Sequence, residues 1–441
     1  MKVWQRRAGL IFASSLPCCG MYVLLSLRSV SDVYFLGQVG VDPQAAFATG
    51  FIMILMFLSF GLGCLFQVNS LVSKCVGKRW FLRCGSIVWQ GIWFSLIYGI
   101  AVICCYFAAP FLFRLFGHDA NLQVLEVEYF QIALPSAVFQ LISWTVMHFF
   151  IAIGRPRVPL IIAGLALVVH VGCGYGLITG NGLGMGVAGA AWSLVFSSAT
   201  MAVIAMACLL VPRSLRKYHT SNFRPRRKPF REIARGGAPI GGREFLEEFV
   251  WNVILIWIIG HFGNVHLAAA AVLISIQDVC ILMFDSFGTS SVALISKAIG
   301  SGKVRRAENW MRVTWVIMNA IALICGLAFY LLRDWVIPLF SKSPEVVNLT
   351  LSLAFFVPII LLFYATYSTF DHALAATDDN SWPTIANLVI SILMLVIGGA
   401  ILVVYFFESH SYGAWTLITA NLAVIAIIFL GRWENGAWKP T

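Results

Sequence analysis

Twelve apolar runs, most of them longer than twenty residues, fill almost the whole chain; short stretches carrying Gly, Pro or charge separate them. Their approximate limits are 9–36, 45–72, 85–113, 126–153, 158–179, 185–211, 233–260, 266–295, 310–332, 347–376, 383–406 and 412–431. About 20 consecutive apolar residues suffice for a helix to cross a bilayer. Inside lipid each backbone N–H and C=O must be bonded within the segment, so each run is expected to be helical. Composition leads to the same place: of 441 residues 60% are hydrophobic and only 11% charged, with a mean hydropathy of +0.87. A soluble chain is about 25% charged, and this one could not cover a water-facing surface. Soluble multidomain and disordered architectures are thereby excluded. The expected fold class is all-α, a polytopic membrane protein of twelve transmembrane helices. Runs beyond twenty residues imply tilt or helix projecting past the hydrocarbon.

The few charges orient the spans. With the N-terminus placed in the cytoplasm, twenty-five of the thirty Lys and Arg fall on the cytoplasmic side, nine of them between Arg213 and Arg235. Only Arg114, Arg333 and Lys342 fall on the other side, while Arg28 and Arg243 lie within spans. This asymmetry is a positive-inside pattern with both termini cytoplasmic. The net charge of +11 is therefore a topology signal rather than a mark of nucleic-acid binding, and the basic central loop is expected to lie near anionic lipid. The basic start, Met1 to Arg7, leads into a run too long for the apolar core of a removable signal peptide. Most of the eleven cysteines sit within apolar runs, where Cys behaves as a small hydrophobe, and no Cys/His spacing suggests a zinc site.

The chain also repeats itself at an offset of about 223 residues. Leu71-Val72-Ser73-Lys74-Cys75-Val76-Gly77 recurs as Leu294-Ile295-Ser296-Lys297-Ala298-Ile299-Gly300. Leu36-Gly37, Gly40 and Ala45-Ala46 recur as Ile259-Gly260, Gly263 and Ala268-Ala269; Pro135 matches Pro358 and Trp192 matches Trp415. Pro17 and Pro239, and likewise Pro159 and Pro383, agree within one residue. The expected organisation is a six-helix lobe over 1–211, a basic cytoplasmic linker over 212–232, and a second six-helix lobe with a short tail over 233–441. An even number of spans per half makes the repeats parallel, an architecture common among secondary transporters.

With Pro17 followed fifteen residues later by Asp32, with the stretch Gly61 to Gly77 echoed by Gly288 to Gly302, with Gly184-Met185-Gly186-Val187-Ala188-Gly189, and with Pro239 eight residues before Glu247, the chain resembles the multidrug and toxic compound extrusion (MATE) transporters of the wider flippase superfamily. The resemblance runs along nearly the whole chain. It implies two six-helix lobes with substrate between them, no enzyme activity, and export of small organic cations or amphipathic compounds by a monomer in the cell (inner) membrane. It further implies exchange for protons or sodium as coupling ion, with no cofactor and no nucleic-acid partner. The alternative within the superfamily is a flippase for a lipid-linked oligosaccharide or related lipid.

Carboxylates inside spans are costly, so each is a functional candidate. Asp32, in the outer half of the first span, could hold a proton or a sodium ion; the competing explanation is a static ion pair with Arg28, four residues earlier on the same face. Asp32 matches the family's first-span coupling Asp, and Glu247 its cation-binding Glu in the second lobe. Glu247 shares a helix face with Glu244, Glu248 and Asn252, and Arg243 is its competing ion-pair partner. Asp278 and Asp285, seven residues apart, lie on one face of the eighth span and would make that interior acidic. The family's acidic position in the tenth span falls nearer Tyr364 than Asp371. In the fifth span, positions where family members with a first-lobe ion site often carry Asn and Asp hold His170 and Gly174. That departure favours protons, since imidazole changes charge near neutral pH, although a buried hydrogen-bonded His is an equally ordinary structural feature.

Overall fold

A computed structural model of the protein describes residues 2–114, 120–179, 182–250, 259, 262–340, 343–405 and 410–439. All regular elements among them are helical. They are α1 (Lys2–Val39), α2 (Val41–Gly77), α3 (Phe81–Ile103), α4 (Ala109–Arg114), α5 (Ala120–Ala133), α6 (Ser136–Ala152), α7 (Arg157–Ile178) and α8 (Val187–Leu210), followed by α9 (Arg227–Phe249), α10 (Asn264–Gly300), α11 (Val304–Val336), α12 (Pro344–Leu353), α13 (Phe356–Thr377), α14 (Ser381–Ser391), α15 (Gly398–Tyr405) and α16 (His410–Glu434). A π-helical stretch, Ile392–Ile397, joins α14 to α15.

Among the described residues ten helices are long and apolar enough to cross a membrane, and α5 with α6, bent by 47°, make an eleventh. The remaining span of the twelve expected is the seventh: α9 supplies its start, and its apolar second part falls mostly outside the described residues. Helices outrun their apolar cores. α1 has 38 residues, about 57 Å at 1.5 Å per residue, nearly twice the hydrocarbon thickness. The tenth expected span divides into α12 and α13 at Ala354–Phe355, just as the fourth divides into α5 and α6 at Leu134–Pro135.

The chain forms two compact units, Pro17–Phe245 and Met1–Leu16 with Leu246–Thr441. In the first, α6 packs against α2, α3 and α8, and α7 against α8. In the second, α13 packs against α10, α11 and α16. These are the same partners shifted by one sequence repeat. Backbone detail repeats too. α2 ends with Arg79 at φ 62° and α10 with Gly302 at φ 73°; Trp80 N–H donates to Cys75 O at 2.8 Å and Lys303 N–H to Ala298 O at 3.0 Å. Both are left-handed helix ends that close orphan carbonyls.

The first unit is cored by side chains from all its long helices, among them Phe47, Tyr129, Phe130, Phe149 and Ile162. Where α9 crosses α2, Gly237 and Gly241 sit four residues apart, and a Cβ on either would collide with the backbone carbonyls of Cys64 and Phe60. Small residues at this spacing let two membrane helices approach closely. The segment before α9 is tied to α3: Trp89, Gln90 and Trp93 donate to the carbonyls of Thr220, Arg224 and Phe223, and Arg226 N–H donates back to Gln90 Oε1. Arg83 completes the strap with a 2.6 Å ion pair to Glu232.

Candidate coupling sites

In the first unit four helices converge on Asp32. Its carboxylate Oδ1 lies 3.0 Å from Nε2 of His170 on α7, and the opposite ring nitrogen, Nδ1, lies 3.1 Å from Oγ of Ser197 on α8. The imidazole is fully buried and the carboxylate 3% exposed. Arg28 is not the ion-pair partner of Asp32. Its Nε donates to Leu25 O at 3.3 Å, curling the side chain back along α1, and its Nη1 has no hydrogen-bond partner among the described residues. The hydroxyl of Tyr129, on α5, is likewise buried and unpartnered there. Arg28, Tyr129 and Asp32 are within electrostatic reach of one another. An unmade buried hydrogen bond costs about 1–3 kcal/mol, so this cluster retains unused bonding capacity. At the neighbouring departure from the family pattern, a Cβ on Gly174 would stand 3.2 Å from the Phe35 ring, and that ring also meets Tyr175 edge-on.

In the second unit Glu247, on the last turn of α9, accepts two short hydrogen bonds at Oε1. Tyr367 Oη on α13 donates at 2.6 Å and Asn387 Nδ2 on α14 at 2.7 Å. Asn387 Nδ2 also lies 3.2 Å from Tyr367 Oη, and Ser391 Oγ donates to Asn387 Oδ1 at 3.0 Å, fixing the amide's orientation. Arg243 pairs with Glu244 at 3.1 Å. Tyr364 is half-buried, its ring against Phe284 and edge-on to Tyr367. Asp371 is buried one turn beyond Tyr367. Of the other acids Glu248 and Asp285 are half-buried and Asp278 is exposed on its unit. Asn252 lies outside the described residues.

Sequence reasoning singled out Asp32, His170 and Glu247 but not Ser197, Tyr129, Tyr367 or Asn387. These four are neutral polar groups in apolar helices, and only the rule that polar residues within spans mark function could have drawn attention to them. As metal ligands the two clusters differ. Hard cations take oxygen donors; Glu247 and Tyr367 supply them, with Asn387 turned amide-nitrogen first, whereas an imidazole nitrogen heads the contacts of Asp32.

Residues 17–175 and 239–400 match the MatE family model, each segment opening at the repeated proline. The chain belongs to the MatE family. It is a multi-pass membrane transporter and not an enzyme. The probable multidrug resistance protein NorM of Neisseria meningitidis serogroup A is 24% identical over 96% of this chain and 93% of its own length. NorM of Mesorhizobium japonicum is 24% identical over 98% and 94%. The eukaryotic MATE transporter AtDTX14 superposes with a TM-score of 0.90 at 18% identity, covering 99% of this chain and 97% of that one. A MOP superfamily transporter from Pyrococcus furiosus, described by the reverse polarity of its binding pocket, reaches 0.89 at 19% over the same shares.

Proposed function

We propose that this transporter exports small organic cations or amphipathic compounds from the cell in exchange for protons or sodium, by alternating access, with Asp32 and Glu247 as coupling carboxylates. The NorM relatives, named for multidrug resistance, support the substrate class. The observation that carries the coupling assignment is that each carboxylate is held by side chains of other helices in its own unit: Asp32 by His170, and Glu247 by Tyr367 and Asn387. An ion arriving at either carboxylate changes its charge and so the strength of those interhelical bonds. A ligand drives a conformational cycle only when it binds the two states differently, and bonds between helices supply that difference. The two sequence halves, 1–211 and 233–441, are the bodies taken to move, the membrane is taken to be the cell (inner) membrane, and the distribution of Lys and Arg supports cytoplasmic termini.

The fold alone does not choose between organic cations and a lipid-linked oligosaccharide, because the Pyrococcus furiosus transporter of reversed pocket polarity has it too. The acids Glu247, Glu248, Asp278 and Asp285 outnumber the bases in the spans of the second half, and this favours cations. The test is purified protein in liposomes under a separate pH or sodium gradient, assayed for uptake of a fluorescent organic cation and for translocation of a labelled polyprenyl-linked sugar. Gradient-driven dye movement is expected; lipid translocation without it would replace this function with the flippase.

A further inference from the structure

The Asp32 cluster has a property that a sodium site lacks: it can take up a proton without losing a hydrogen bond. We propose that the ion coupled through this half is a proton carried by the His170–Asp32 pair, with Ser197 as a positioning residue whose hydroxyl follows the charge of the ring. The inference rests on the coupling role proposed for Asp32 and names its ion.

Ser197 Oγ has two partners in reach, His170 Nδ1 at 3.1 Å and the carbonyl of Leu194 at 3.1 Å. With a neutral ring, Nε2–H donates to Asp32, and the Ser197 hydroxyl donates to the lone pair of Nδ1. On protonation a new N–H bond forms at Nδ1, its proton drawn from water. The Ser197 hydroxyl then turns to Leu194 O, and its oxygen accepts from Nδ1–H. In both states the buried imidazole keeps two partners, which matters because an unmade bond on a fully buried charged group is expensive. The turn is a rotation about one hydroxyl and needs no helix movement.

The charged and titratable groups facing the pair, among the described residues, are Arg28 on α1 and Tyr129 on α5. Arg28 is a tethered cation beside the carboxylate. A second fixed charge arriving as sodium would meet that guanidinium, and at Asp32 Oδ1 it would meet a ring nitrogen rather than an oxygen. A proton on the imidazole is spread over the ring and bonded at both ends, with Asp32 as its counter-charge.

The experiment compares wild type with Ser197→Ala, Ser197→Thr and His170→Asn. Two measurements are made: dye transport in liposomes as a function of pH at constant sodium, and the 15N resonances of His170 in the purified protein over the same range. Hydrogen bonds to ionised groups are the stronger ones, so Ser197→Ala weakens the protonated ring more than the neutral one. Its transport midpoint should move to lower pH by about one unit, a tenfold loss in proton affinity. Ser197→Thr, which keeps the hydroxyl, should restore it, and His170→Asn should abolish the proton-driven component. The His170 resonances should titrate with the same midpoint as transport. Transport that persists with an unchanged pH profile in both Ser197→Ala and His170→Asn would overturn the proposal, as would His170 nitrogens that stay in one state throughout. Titrating His170 resonances in a protein that moves no dye would instead keep the proton site and remove the export function.

Discussion

Asp32 and Glu247 are both held from outside their own helices, but by different kinds of group. Asp32 faces an imidazole that can share a proton with it; Glu247 accepts from a phenol and an amide. Substituting Asp32→Asn or Glu247→Gln should lower gradient-driven export at least tenfold while leaving the thermal stability of the detergent-solubilised protein near wild type. Normal coupled export by both would remove these residues from the mechanism. Tyr367→Phe tests the second site with the opposite sign to Ser197→Ala. Donors to a carboxylate favour its charged form, so losing the Tyr367 hydroxyl makes protonation easier, and the midpoint of proton-driven transport should move to higher pH by about one unit. The carboxylates were legible in the sequence because a charge in a span is costly enough to need a purpose. Ser197, Tyr129, Tyr367 and Asn387 were not, because a neutral hydroxyl or amide in a helix is often satisfied by the preceding turn. Only the placement of α5, α7, α8, α13 and α14 makes these four part of a cluster. The same limit applies to Arg28. Four residues before Asp32 on one face, it was a natural ion-pair partner, yet its rotamer follows α1 back to Leu25 O.

Among elements, the repeat shows most plainly in how helices end and cross. Arg79 and Gly302 occupy equivalent left-handed positions, where an L side chain costs about 1–2 kcal/mol and glycine very little. Gly302→Ala should therefore destabilise the protein by about 1 kcal/mol and Arg79→Gly stabilise it by a similar amount, as read from unfolding midpoints in detergent. Changes of the same sign in both would show that the two ends do not share this strain. The α2–α9 crossing is less tolerant. A side chain at Gly241 meets the Phe60 carbonyl, which as backbone cannot swing away, as well as the Cys64 sulfur, and overpacking typically costs about 1–3 kcal/mol. Gly241→Val should lower the melting midpoint, whereas substitution at Gly242, with open space around it, should change little. Apolar run length located these helices well, but not their bends. The structure sets breaks at Leu134–Pro135 and Ala354–Phe355, where turns interrupt the fourth span of each half.

For the whole molecule, the charge distribution makes a firm topological expectation. A reporter active only in the cytoplasm should be active when fused to the C-terminus and inactive when inserted between the ninth and tenth spans; the reverse pattern would invert the assigned orientation. Membrane residence, the all-α class and the number of helices were legible in the sequence alone, which also sets the expectations for duplication and orientation. They follow from hydrophobic length, from a repeat of about 223 residues and from the sidedness of Lys and Arg, and each of these is written locally along the chain. Which polar groups meet was decided only by tertiary structure. His170 lies 138 residues from Asp32, and Asn387 lies 140 from Glu247. A hydrogen bond needs two atoms within about 3 Å, and no local pattern carries that information across four packed helices.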